Sequence, residues 1–264
     1  MKYFDRVKSR LLQVKTKATA DFWDQQWTAE EVGIFDSRSV APFRALTSRY
    51  LAPGSLLLEG GCGTGGKVAA LESAGFRTIG IDYAKETVFR LCRACPQFDI
   101  REGNVFSLEF PDGYFDGYWS FGVIEHFWAG YQTIFDEAHR VLRDQGFLFL
   151  TFPCMSPLRK LKVAMGLYPR WAGGEVEPDG FYQFMLPLEE VHAALEKAGF
   201  QVVESSIIQA ASGAKQEFAV LWKLADVLAK LTGKGNALYS PRVERGLGRY
   251  IGHIALIAAQ LKKV

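Results

Sequence analysis

The chain has 264 residues, with 31 basic and 29 acidic side chains and 48% hydrophobic content. It is long enough to bury a substantial core as one large domain or a domain with appendages, and the near cancellation of charge argues against a strong global field for nucleic acid. Four cysteines without a regular framework, and no apolar leader at the start, fit a reducing, cytoplasmic setting; no apolar run is long enough to span a bilayer.

Residues 1–17 carry six lysines and arginines, with Tyr3, Val7, Leu11 and Val14 at helical spacing, which predicts a basic amphipathic helix. Such a helix either lies against the domain or meets an anionic membrane surface. Phe22, Trp23 and Trp27 follow in residues 21–31 as an aromatic stripe suited to core packing. A helix is expected over 39–51, and Pro53 and Gly54 supply a turn.

The run that organises the rest is residues 56–66, three leucines, then Glu59, then glycines at 60, 61, 63, 65 and 66. Leucines without alternation predict a strand buried on both faces. The glycines allow positive φ and close approach of the backbone to a ligand, and a helix over 67–74 follows. Gly61-x-Gly63-x-x-Gly66 satisfies the dinucleotide fingerprint, so an NAD(P)-linked dehydrogenase is one reading. The form Glu59-x-Gly61-x-Gly63-x-Gly65 more closely resembles the first motif of the class I S-adenosylmethionine-dependent methyltransferases. Electrostatics favours the second reading, because a carboxylate suits a cationic ligand and not a pyrophosphate.

A second strand over 77–81 ends in Asp82, placed where either nucleotide fold puts the acid for the ribose hydroxyls, and Tyr83 could cover an adenine face. The helix over 84–95 carries Cys92 and Cys95; without two further ligands they read as packing residues, and no metal is expected. A third strand over 98–101 leads to Asn104 and Val105. In the resembled family an acid here accepts from the adenine amino group; the Asn104 amide oxygen and the Val105 backbone amide can do related work.

A fourth strand over 115–120 runs into Ser120 and Phe121, cofactor-wall positions by resemblance, and then Glu125 and His126. His126 has the ordinary pKa of a proton acceptor. A helix over 132–143 and a fifth strand over 147–152 complete alternating strands and helices, the signature of a doubly wound, mostly parallel sheet. The resemblance covers residues 39–152, and implies a seven-stranded Rossmann-like methyltransferase fold.

Regular alternation stops over 153–187, where aromatics and cations suit a lid that forms the acceptor pocket. Phe181, Tyr182 and Phe184 are expected to close the same region. A helix from 187 to 199, a sixth strand over 200–206, a helical stretch over 214–250 and a last apolar run over 253–261 follow. By resemblance that run is a final antiparallel strand between the fifth and sixth; a terminal amphipathic helix is its rival.

The expected organisation is therefore an N-terminal helical cap over 1–38 and a methyltransferase domain over 39–264, with a lid at 153–187 and a helical insertion at 214–250. By resemblance, S-adenosyl-L-methionine is the cofactor, held by Glu59, Gly61, Cys62, Gly63, Thr64, Gly65, Asp82, Tyr83, Asn104, Val105, Ser120 and Phe121. The implied reaction is methyl transfer to an oxygen, nitrogen or carbon of a small molecule, with His126, Tyr182 or Glu125 as the base where one is needed. A cofactor-binding protein without transfer chemistry is a third reading, and the basic start leaves room for a lipid-like acceptor.

Overall fold

The computed structural model describes residues 1–27, 40–219, 222–223 and 241–263. Seven strands make the main sheet: β3 (Leu56–Gly60), β4 (Arg77–Asp82), β5 (Asp99–Glu102), β6 (Phe115–Phe121), β7 (Leu142–Pro153), β9 (Phe200–Ile208) and β10 (Ile254–Leu261). Their order across the sheet is β5-β4-β3-β6-β7-β10-β9. The first five are parallel, and β10 runs antiparallel to both β7 and β9. This is the doubly wound arrangement expected, with the last apolar run inserted as a strand and not as a helix.

Apolar residues on both faces hold the sheet. Leu57 and Leu58 are both fully buried, yet they enter different clusters because successive side chains on a strand point to opposite faces. Leu57 packs with Leu46 of α2 (Ala41–Tyr50), Leu71 of α3 (Gly66–Glu72), Trp119 and Phe149. Leu58 packs with Tyr118, with Ile134 and Phe135 of α5 (Gln132–Val141), and with Leu148 and Leu150. Cys95 packs with Val68 and Leu91 of α4 (Lys85–Ala94), with Cys92 against the same cluster, as small apolar residues do. Gly117 has no room for a Cβ, which would lie 2.7 Å from both Leu51 and Leu57.

The N-terminus departs from expectation. Residues 1–17 form no helix: β1 (Lys2–Asp5) and β2 (Arg10–Val14) make an antiparallel hairpin, and β2 pairs with β8 (Phe181–Met185). The helical spacing of Tyr3, Val7, Leu11 and Val14 misled, because Val7 sits exposed at the hairpin tip. Asp5 decides the matter locally, its Oδ1 accepting from the backbone amides of Val7 (3.0 Å) and Lys8 (3.3 Å) to close the turn. Leu11 and Leu12 are then both fully buried, one against Met155 and Met185, the other against the main core.

The segment expected as a lid is partly regular, with α6 (Pro157–Ala164) ahead of β8. Of the helical stretch expected over 214–250, the structure has α8 (Ala210–Glu217) and α9 (Pro241–Ile251); residues 220–221 and 224–240, with most of its leucine stripe, lie outside the described residues, as do residues 28–31 and Ser39. Between the elements sits α7 (Leu188–Lys197), with Val191 and Leu195 buried. No helix among the described residues is long and apolar enough to cross a membrane.

One polar cluster ties the hairpin to the domain. The Glu217 carboxylate accepts from Lys2 Nζ (2.7 Å), Lys162 Nζ (2.7 Å), Arg159 Nε (3.1 Å) and the Tyr168 hydroxyl (2.5 Å). Burial by itself would raise this carboxyl, but the Lys2 and Lys162 ammoniums and the hydroxyl outweigh it and hold it well below the carboxylate range. Its stabilisation is therefore present above the unfolded carboxyl pKa and fades as pH falls below it. Removing one partner of a buried ion pair leaves the rest uncompensated. Glu217→Gln should cost about 3 kcal/mol at pH 7, and denaturant melts of both proteins should converge as pH drops below about 4.5; an equal cost at pH 7 and in acid would refute the pairing.

Candidate active site

The site is built from the carboxyl ends of β3, β4 and β6, where the strand order reverses and open α/β sheets place their ligands. After β3 the chain must turn sharply into α3. Gly61, Gly63 and Gly65 all have positive φ, at 76°, 51° and 75°. At Gly61 a Cβ would also lie 2.6 Å from Val123, so the loop needs glycine twice over there. The turn is clamped to the end of β4: the Gly61 and Cys62 amides donate to the Ile81 carbonyl, and the Gly63 amide donates to Asp82 Oδ2 at 2.8 Å. Asp82 Oδ1 accepts from the Ala84 amide at 3.0 Å.

A cavity of about 830 Å³ opens beside this loop, near the upper end of the range for small-molecule sites and roomy enough for two ligands. Gly61, Cys62, Gly63, Thr64, Asp82, Tyr83, Asn104, Val105 and Phe121 line it, together with Glu125, His126 and Tyr182. Residues from five separate segments thus meet in one place. Gly65, Glu59 and Ser120 stand behind the wall. Gly65 caps α3, and a Cβ there would meet Leu91 at 2.8 Å.

Glu59 is completely buried, and among the described residues neither of its oxygens has a hydrogen-bond partner. Burial pushes its carboxyl up to about 8; Lys67 opposes this, Asp82 adds to it, and the Val68 amide, outside hydrogen-bond geometry, is a weak pull downward. Ser120 Oγ and Glu125 Oε2 are likewise buried without partners. Unpaired buried polar atoms are costly. Their gathering at the ends of β3 and β6 is what a site for a polar, partly cationic ligand requires. Asn104 is differently employed, since its Oδ1 accepts from the Phe106 amide at 3.0 Å and holds its own turn. A second lone pair on that oxygen, and its amide hydrogens, remain for a ligand.

The three residues named as bases line the same cavity. His126 Nδ1 sits 2.7 Å from the Tyr182 carbonyl, so that nitrogen carries the proton and Nε2 is left as the acceptor. Burial lowers its pKa to about 4, keeping the imidazole neutral. Glu125 is raised by burial to about 8. Burial, and then the nearby Glu125, raise the Tyr182 hydroxyl, which suits it to donate and not to accept a proton.

Sequence reasoning placed the aromatic stripe of residues 21–31 in the N-terminal cap and read its side chains as core packing. In the structure α1 (Ala20–Gln26) buries none of its side chains, and Trp23 and Trp27 line the cavity instead. The helix is strapped to α4: Asp24 Oδ1 accepts from the Thr87 amide (2.7 Å) and hydroxyl (2.8 Å), and Arg90 donates to the Asp24 and Trp27 carbonyls. Trp23 stands edge-on to His126 at 5.1 Å and is stacked on Trp27 at 5.6 Å. Tyr83 donates from its hydroxyl to the Ala18 carbonyl, a second tether on the same segment. Sequence reasoning missed Lys2, Gln13, Gln183, Gln216 and His253, which complete the opposite wall. No local pattern could have found them, because four elements distant in sequence bring them together. Among the described residues there is no group of ligands fit for a metal ion.

A family description, "Methyltransferase domain", matches residues 58–150. Over 104 residues the chain is 36% identical to a thiopurine S-methyltransferase of Azotobacter vinelandii, a stretch covering 36% of this chain and 47% of that protein; the chain thus matches about half the length of this relative. Among solved structures, the [4+2]-cyclase SpnF superposes with a TM-score of 0.61 at 17% identity, over 95% of this chain and 99% of that one. A SAM-dependent methyltransferase of Methanosarcina mazei gives 0.58 at 17%, over 83% and 98%. At such identities the structural likeness establishes the fold and nothing finer. The dinucleotide reading of the glycine loop falls to the domain match, and to Glu59, whose carboxyl would face a pyrophosphate to no purpose. The strand, glycine loop and ribose-type acid that suggested the methyltransferase family lie inside the matched segment, and residues 58–150 are similar to its methyltransferase domain.

Proposed function

We propose that the protein transfers the methyl group of S-adenosylmethionine to an oxygen, nitrogen or carbon of a small-molecule acceptor. The observation that carries this reading is the set of unpartnered buried groups, Glu59, Ser120 and Glu125, around a cavity with space for cofactor and acceptor together. When bound, the cofactor supplies a methyl already activated by a sulfonium. The chain's own residues then have three tasks. Asp82 and the glycine loop hold the ribose and the amino-acid part, with Glu59 behind them as a countercharge. Tyr83, Asn104 and Val105 bracket the adenine. Trp23, Trp27 and Tyr182 roof the reacting end, exclude water and set an acceptor in line, which proximity rewards by several kcal/mol. His126, held in one tautomer by the Tyr182 carbonyl, takes a proton from the acceptor through Nε2.

Transfer chemistry has one rival. The same fold occurs in a protein described as a [4+2]-cyclase, so a chain that keeps the cofactor without moving its methyl is the alternative. Calorimetry and labelled-methyl transfer separate the readings: the protein should bind S-adenosylhomocysteine and pass label to at least one member of a small-molecule panel. Binding without transfer across that panel would favour the rival, and stabilisation by NAD with none by S-adenosylhomocysteine would overturn both.

Two further outcomes follow from the buried acids and the histidine. A carboxyl whose folded pKa is raised to about 8 costs stability increasingly as pH climbs from the unfolded value toward 8. Glu59→Gln should therefore melt higher than the parent at pH 8, by on the order of 1–2 kcal/mol, yet bind S-adenosylhomocysteine at least about tenfold more weakly. For the base, single-turnover methyl transfer should be level between pH 6 and 9, because His126 is already neutral there, with a pKa of about 4. His126→Asn should slow it by about a hundredfold. A rise in rate centred near pH 8 that disappears in Glu125→Gln would move the role to Glu125.

A further inference from the structure

The wall of the cavity contributed by the hairpin, β8, α8 and the segment just before β10 has a chemistry of its own. Lys2, Gln13, Gln183, Gln216 and His253 line it. Three positive charges, on Lys2 in the lining and on Arg159 and Lys162 outside it, share the single carboxylate of Glu217. Arg159 is fully buried, and the Lys2 and Lys162 side chains are 20% and 16% exposed. Among the described residues no other anion compensates them, since the remaining partners of Arg159 are the Cys154 and His253 carbonyls and Gln216 Oε1. Burying surplus charge of one sign is expensive unless a counterion is supplied.

The hydrogen-bonding groups on this wall point to the sign of the missing ligand. Gln216 uses its oxygen to accept from Arg159 at 3.1 Å, which leaves its amide N–H groups for the cavity. Gln13 likewise accepts from Gln183 Nε2 at 3.2 Å and keeps its own N–H groups. Lys2 has three donors, of which Glu217 takes one. Burial, and then the Arg159 charge, lower the Lys2 ammonium, and a nearby anion would relieve both. His253 Nδ1 lies 3.3 Å from the Gln209 carbonyl, and burial keeps the ring neutral, so the imidazole adds no charge to this wall.

We infer that this wall is an acceptor subsite for an anionic oxygen group, a carboxylate or a phosphate, gripped by Lys2 and the side-chain amides of Gln13 and Gln216. The inference rests on the proposed methyl transfer in placing the acceptor there, and it narrows the acceptor to an acid. It also gives the hairpin a role in substrate choice, because β1 and β2 contribute Lys2 and Gln13.

Titration calorimetry on the full chain, with and without saturating S-adenosylhomocysteine, tests this with phenylacetate, phenyl phosphate and neutral phenylacetamide. The acids should bind at least about tenfold more tightly than the amide, and the better of the two identifies carboxylate or phosphate as the source. Lys2→Met should erase that preference. Because Lys2 also pairs with Glu217, Gln216→Glu provides the safer variant: its carboxylate can still accept from Arg159, it cancels part of the surplus charge, and the acids should lose their advantage with S-adenosylhomocysteine affinity intact. Equal binding of acid and amide, no measurable binding of either acid, or a preference that survives both substitutions would overturn the subsite. Acid binding that needs Lys2 and Gln216 in a protein that does not bind S-adenosylhomocysteine would keep the subsite and overturn the cofactor assignment instead.

Discussion

The hydrogen bond from the Gly63 amide to the Asp82 carboxylate, 2.8 Å long, is the constraint on which the functional end of the molecule depends. Together with the Gly61 and Cys62 amides on the Ile81 carbonyl, it pins the loop after β3 to the end of β4. The backbone makes these three hydrogen bonds by passing through positive φ, which glycine adopts without the steric penalty of a Cβ. Once the loop is pinned, α3 starts at a fixed place, and the cavity acquires a rigid floor. Preorganisation of this kind lowers the ordering cost of binding a nucleotide-like ligand.

The protein buries carboxyl groups in two opposite ways. Glu217 is surrounded by cations and a hydroxyl, stays ionised, and fastens the hairpin and α6 to α8. Glu59 and Glu125 are buried with unpartnered oxygens and are pushed toward the neutral form. The first arrangement is a structural clamp. The second is costly in the isolated chain and rational only if a ligand brings donors or positive charge, which is why these two acids mark the site more sharply than the glycines do. Each acid sits at a strand end near the switch point of the sheet, so the same backbone geometry that opens the cavity also strands the carboxyls.

Over this floor the N-terminal segment forms a roof. The turn at Asp5 folds β1 back on β2, β2 adds β8 to the small sheet, and α1 is strapped across α4 by Asp24 and Arg90. The roof carries the tryptophans, while the hairpin carries Lys2 and Gln13. The glycine-loop lining and the hairpin lining of the cavity therefore come from different parts of the chain.

The sequence by itself determined the parallel half of this protein. Leu57 and Leu58 without alternation, the glycine loop with Glu59 before it, and Asp82 at the next strand end are local signals, because each is set by the backbone conformation that its own few residues must adopt. From these came the resemblance to the methyltransferases and, through it, the expected sheet and cofactor, and all nine of the expected cofactor residues that face the cavity belong to such strand ends. Residues 1–17 show where local reading fails, since the same apolar positions fit a helix until Asp5 closes a turn and β8, some 170 positions away, offers a strand to pair with. The departure of Gln216 and His253 from any motif has the same cause. Only the tertiary structure decided that three cations would share one carboxylate and that His126 would be neutral with Nδ1 held, because charge balance and burial are properties of neighbours in space and not of neighbours along the chain.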